Sequence, residues 1–201
     1  MQTGSTAPGG GANRATGTGF FVTSDGHFLT NHHVVEDARR IMVRMPDDKF
    51  VPARILRQDP QNDLALGVVD TATYALPLGL TRSLRRGDDL TVLGYPQPRL
   101  QGQEQKAVFG RVNALTGAQD DITTFQMDAP VQGGNSGGPV INVYGEVVGV
   151  VKSSLVRNSA ANRSVTDVHY AIKAAYVMPL LRAEDLRDKV RISGRGRKME
   201  K

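Results

Sequence analysis

Short apolar runs alternate with turn residues along most of this chain, and no long helical period appears between residues 17 and 173. Strand-like runs fall at 18–23, 27–31, 41–45, 50–57, 64–69, 90–94, 107–114, 123–128, 139–143, 146–152 and 168–172. Each is short, rich in Val, Ile, Leu, Phe or Thr, and bounded by Gly, Pro, Asn or Asp, which is the pattern of half-buried strands joined by turns. Asp25-Gly26 between two such runs predicts a tight hairpin. Many short strands punctuated in this way predict an all-β barrel architecture. The stretch 71–89, with Pro77 and Gly87, reads as a loop dividing the chain into two halves. Val34 to Ala38 predicts one helical turn, and 174–188 carries helix formers, with Pro179 limiting where that helix begins. Residues 1–16 are rich in Gly, Ser, Thr and Ala and predict a disordered linker.

Length and composition narrow this picture. A chain of 201 residues is long enough for one large β domain or two small barrels with a shared core. No apolar run approaches the roughly 20 residues of a membrane span, and no signal peptide is visible. The chain has no cysteine, so the core alone must hold it together. The net charge of +5 is concentrated near the end. From Arg182 to Lys201 there are eight Lys and Arg against four acids, which leaves the body near neutral. Residues 189–201 read as a basic flexible tail. Gly194-Arg195-Gly196-Arg197-Lys198 would suit an acidic partner, but no aromatic residues interleave it, which argues against nucleic acid. Zinc-ligand spacings, a P-loop and a dinucleotide fingerprint are all lacking, so no cofactor or metal is expected.

The candidate chemistry sits in three places. Gly134-Asn135-Ser136-Gly137-Gly138-Pro139 sets a serine among glycines. Such a loop allows a hydroxyl to project from a tight turn beside main-chain amides, although the same composition also suits an ordinary glycine-rich turn. Thr30-Asn31-His32-His33-Val34-Val35 ends an apolar strand in two histidines. Asn62-Asp63-Leu64-Ala65-Leu66 opens another strand on an acid. Singly, a histidine at a strand end or an aspartate in a turn is ordinary. Together they run in the order His, Asp, Ser, which is one of the known chain orders of a nucleophilic triad.

These motifs resemble those of trypsin-fold serine proteases of the HtrA/Deg type. Thr30 to Val35 matches the histidine motif, Asp63 to Leu66 the aspartate motif and Gly134 to Pro139 the serine motif. Gly17-Thr18-Gly19-Phe20, Gly94-Tyr95-Pro96, Gly145-Glu146-Val147-Val148-Gly149 and Tyr170-Ala171-Ile172 are smaller matches, and the whole covers roughly residues 17–182. The resemblance implies two packed six-stranded antiparallel β-barrels with a C-terminal helix. It places the first barrel at about 17–75, the second at about 88–175 and the helix at about 174–188. It implies His33 as base, because this histidine directly precedes Val-Val; His32 stands where relatives commonly carry alanine. Asp63 orients the base, Ser136 is the nucleophile, and the amides of Gly134 and Ser136 form the oxyanion hole. Lack of cysteine points to the bacterial or organellar branch and leaves periplasm and cytoplasm both open.

The same resemblance supplies expectations about substrate and control. Pro130 stands where a trypsin-like pocket has aspartate, so cleavage after Lys or Arg is not expected. Val131, Val151 and Ser153 are expected to line a small or medium apolar pocket, and main-chain groups of Lys152, Ser153 and Ser154 to pair with the substrate as an added strand. Lys152 departs from the small polar residue usual there. Asn135 replaces the aspartate that pairs with a freed amino terminus in digestive relatives, so activation of that kind is not expected. HtrA/Deg proteins usually add a PDZ domain and form trimers. No room for that domain remains after about residue 190, so monomer and trimer both stay open, as does a further domain or partner at either terminus. Polypeptides are the expected substrates. The competing expectation is a protease-fold binding or chaperone module of a larger protein.

Overall fold

The computed structural model describes residues 1–6, 16–80, 84–96, 102, 104–152 and 168–193. Seven strands come first: β1 (Gln2–Thr6), β2 (Thr16–Thr18), β3 (Phe20–Phe21), β4 (His27–Thr30), β5 (Arg40–Arg44), β6 (Phe50–Asp59) and β7 (Leu64–Val69). They form one sheet in the order β2-β1-β5-β6-β7-β4-β3. Its edges, β2 and β3, are one stretch of chain interrupted at Gly19, so the sheet curls round without a closing ladder. The second half holds β8 (Asp89–Gly94), β9 (Lys106–Ala114), β10 (Thr124–Met127), β11 (Pro139–Asn142), β12 (Val147–Lys152) and β13 (His169–Lys173). These close into a six-stranded barrel in the order β10-β13-β12-β11-β8-β9. Closure removes the exposed edges that an open sheet would present. The two expected barrels are therefore one closed barrel and one seven-stranded half-barrel.

Three expectations need correction. The predicted linker 1–16 contains β1, whose backbone pairs with both β2 and β5. Gln2 to Thr6 has no apolar run, so the pattern gave no sign of a strand; main-chain pairing to two neighbours makes it one. Residues 7–15 lie outside the described residues, as does the tail from 194. The helix is also shorter than 174–188. A 3-10 turn at Ala174–Val177 leads into α1 (Met178–Ala183), with Pro179 in its first turn, where a missing N–H breaks no helical bond. The helical turn expected at 34–38 lies at His32–Val34 instead, also as 3-10.

The largest core cluster belongs to both halves. Phe20, Val22, Leu29, Leu64 and Leu66 of the sheet pack with Ile141, Val147, Val150 and Ile172 of the barrel and with Leu180 and Leu181 of α1. A second cluster, centred on Phe125 and Met127, fills the barrel. Phe21 and Phe28 meet edge to face at 6.3 Å and lead a third cluster with Val43 and Val69. The connection between the halves is pinned by Leu78, fully buried, which bridges both Val147 and Ile192. Arg57–Glu184 at 2.8 Å and Lys189–Asp25 at 2.7 Å tie the segment after α1 to the half-barrel. This shared core holds the seam between the halves, where the three sequence motifs converge. No described helix is long and apolar enough to cross a membrane.

Candidate active site

The half-barrel supplies His33 and Asp63. Strand β4 ends at Thr30, Asn31 continues extended, and the 3-10 turn drives Val34 into the core while leaving His33 exposed. Asp63 lies in the turn before β7 with φ +53°, a left-handed conformation that Asp and Asn adopt more readily than most residues. Its Oδ1 accepts the His33 backbone N–H at 3.0 Å. The His33 ring Nδ1 lies 3.0 Å from Oδ1 and 2.8 Å from Oδ2. Asn31 Nδ2 donates to the Asp63 carbonyl at 2.9 Å, so main chain and side chain of the aspartate are both held. Partial burial pushes the Asp63 carboxyl pKa up, but the His33 hydrogen bonds and the His33 and Lys152 charges outweigh it. The net pKa lies below the usual aspartate value. Of the two adjacent histidines only His33 meets the carboxylate. His32 turns its Nε2 to Glu36 Oε2 at 3.3 Å, and its Nδ1 is buried without a hydrogen-bond partner among the described residues.

The serine loop comes from the closed barrel and seats against the half-barrel. Gly134 and Gly137 have φ of +100° and +82°, conformations that suit glycine. A Cβ on Gly137 would run into the Thr18 carbonyl, the Thr30 hydroxyl and the Asn31 amide. The residue after Ser136 thus touches the segment that leads to His33. Most of the loop's amides are engaged: Asn135 N–H donates to Gln132 O at 3.0 Å, Gly137 N–H to Val151 O at 3.0 Å and Gly138 N–H to Asn135 O at 2.9 Å. Those of Gly134 and Ser136 have no acceptor among the described residues. These are the two amides assigned to the oxyanion hole. Ser136 is 5% exposed, and no hydrogen bond joins its Oγ to His33. In unliganded sites such bonds are often long and tighten with substrate.

The expected substrate-binding residues have varied settings. Pro130 is exposed, and Val131 is partly buried against the barrel cluster. Val151 is fully buried in that cluster, its backbone spanning Gly137 and Gly138. Lys152 is half-buried at the end of β12, opposite Tyr170. Ser153 and Ser154 lie outside the described residues. Asn135 is 1% exposed, and neither atom of its amide has a partner among the described residues. Thr18, Thr30, Asn31 and Tyr95 each lie in one of the sequence motifs, but their residue types alone assign them no role.

A family model described as the trypsin-like peptidase domain matches residues 17–150. The chain belongs to that family. An uncharacterized protein of Sinorhizobium fredii is 41% identical over 87% of the chain, which spans 28% of that relative. A probable periplasmic DegP-like serine endoprotease of Pseudomonas fulva is 30% identical over 94% of the chain, which spans 38% of it. The DegP-like counterpart in Chlamydia trachomatis is 39% identical over 67% of the chain. Among solved structures, the serine endoprotease from Yersinia pestis superposes with a TM-score of 0.73 at 26% identity, covering 94% of this chain and 64% of that one. The HtrA-type protease AlgWS227A with tripeptide gives a TM-score of 0.76 at 21% identity, covering 94% of this chain and 60% of that one, a likeness of fold. The peptidase domain described here thus spans well under half the length of these curated relatives.

Proposed function

We propose that this domain is a serine endopeptidase that hydrolyses peptide bonds through Ser136, His33 and Asp63. In this reading Ser136 Oγ attacks the scissile carbonyl while His33 Nε2 takes its proton. His33 then returns the proton to the leaving amine, and a water repeats the sequence to release the acyl group. Asp63, held ionised at neutral pH, accepts from His33 Nδ1–H, fixes the tautomer with a free Nε2 lone pair and stabilises the imidazolium. The amides of Gly134 and Ser136 receive the oxyanion. The observation that carries the reading is the pairing of His33 with Asp63 across the seam from a serine loop whose two free amides belong to Gly134 and Ser136. The DegP-like names of relatives support the endopeptidase class.

Unfolded or partner protein segments are the proposed substrates. Pro130 offers no charge to a basic side chain, and the half-buried Val131 favours a small or medium apolar residue before the cut. Residues 152–154 would pair with the substrate main chain as an added strand. Casein digestion by wild type against Ser136→Ala, with cleavage sites read by mass spectrometry, tests this. Cleavage by the wild type alone is expected. Undigested casein in both would refute the enzyme and favour a binding module.

A further inference from the structure

Thr18 belongs to the half-barrel, yet its hydrogen bonds reach both sides of the seam. It ends β2, is fully buried, and has four polar contacts. Its N–H donates to the Ser136 carbonyl at 2.8 Å. Its carbonyl accepts from the Thr30 hydroxyl at 2.8 Å. Its own hydroxyl accepts from the Tyr95 N–H at 3.1 Å and donates to the Gly134 carbonyl at 2.7 Å. The hydroxyl's direction is therefore fixed. Tyr95 can only donate to it and Gly134 O can only accept, so the proton points at Gly134.

That bond acts on the loop at a sensitive place. The Gly134–Asn135 peptide is held at its oxygen by Thr18 and at its N–H by Gln132. The Ser136–Gly137 peptide is held at its oxygen by the Thr18 N–H and at its own N–H by Val151. Between these two clamped units lies the free Ser136 amide, and just before them the free Gly134 amide. With the Gly134 carbonyl anchored, the direction of the Gly134 N–H is set by the two dihedrals of this one residue. Without the anchor, glycine imposes little barrier to rotation, and a buried carbonyl left unpaired favours it.

We propose that the Thr18 hydroxyl is a positioning residue for the oxyanion hole, aiming the Gly134 amide through the Gly134 carbonyl. This rests on the endopeptidase reading above. It assigns Thr18 an effect on the chemical step and little on substrate affinity, because the oxyanion exists only in the transition state. Removing one oxyanion donor outright costs roughly 10²–10³ in kcat, so misaiming one is expected to cost about 10–100-fold.

The test compares wild type, Ser136→Ala, Thr18→Val and Thr18→Ser. Ser136 acylation by a fluorophosphonate is measured first, then kcat and KM on a peptide cut from casein, with melting temperature alongside. Thr18→Val is expected to lower both kcat and labelling rate about 10–100-fold with KM within about threefold, and Thr18→Ser to recover most of both. If wild type itself is not acylated, the endopeptidase reading fails. If wild type is acylated and Thr18→Val matches it, the inference about Thr18 fails. It also fails if Thr18→Ser is as impaired as Thr18→Val. Should Thr18→Val not fold, Thr18→Ala takes its place; if neither folds, the residue is structural and the inference is overturned.

Discussion

Replacing Asp63 with asparagine separates charge and proton placement from backbone shape. The carboxylate accepts two hydrogens at once: the His33 N–H at 3.0 Å and the ring Nδ1–H at 2.8 Å. An amide of the same shape has one oxygen. With that oxygen on the main-chain N–H, the NH₂ group faces Nδ1 and drives the ring proton to Nε2, where it blocks the lone pair needed by Ser136. The reverse orientation sets two donors against each other at the His33 N–H, at a cost of about 1–3 kcal/mol for a poorly satisfied donor. The carboxylate's attraction for an imidazolium at this distance, about 4 kcal/mol in a partly screened setting, is lost as well. The sum points to a drop of about 10⁴ in kcat, the loss found for this substitution in triads of this kind. Asparagine tolerates the left-handed φ at position 63, so the turn should hold and the melting temperature should fall only by what the carboxylate's own contacts contribute. Alanine there would add roughly 1–2 kcal/mol of backbone strain. Kinetics on a peptide substrate near neutral pH, with thermal unfolding by circular dichroism, distinguish the effects. An Asp63→Asn enzyme within tenfold of wild type would refute the reasoning.

Other expectations follow from the same geometry. Because the folded pKa of Asp63 is lowered, its contribution to stability is present above the usual aspartate value of about 3.9 and is lost as pH falls through the folded one. The stability gap between wild type and Asp63→Asn in urea titrations should therefore narrow below about pH 4; a gap that widens there would contradict the sign. Asn135→Asp should destabilise the fold by several kcal/mol, because it buries a charge where the present side-chain amide has no partner among the described residues. Unchanged urea midpoints would count against that. Peptide-library cleavage should show small or medium apolar residues before the cut, and a profile led by Lys or Arg would overturn the proposed pocket.

Much of this fold could be read from the sequence, for a physical reason. Strands buried on both faces carry near-continuous apolar runs, so β4, β7, β11 and β12 are legible with nearly correct bounds. Strand β1 did not, because Gln2 to Thr6 joins the sheet by main-chain pairing, which leaves no trace in side-chain polarity. Closure is equally silent: β2 and β3 form the two edges of the sheet on either side of Gly19, and composition carries no sign of it. His33, Asp63 and Ser136 were legible because each sits in a motif of unusual residues. Thr18 and Tyr95 were not, because a hydroxyl and an amide meeting across 77 positions of sequence have no local signature. His33 lies against Asp63, while His32 lies against Glu36, a difference that two adjacent histidines do not show in sequence.

The central claim is that Ser136 is a nucleophile activated by its neighbours. Fluorophosphonate labelling of the purified protein, with the adduct located by mass spectrometry, tests it most directly. The account predicts one adduct, on Ser136, absent from Ser136→Ala and much slower in His33→Ala. No adduct in the presence of an unfolded protein substrate, or an adduct on another serine, would contradict it.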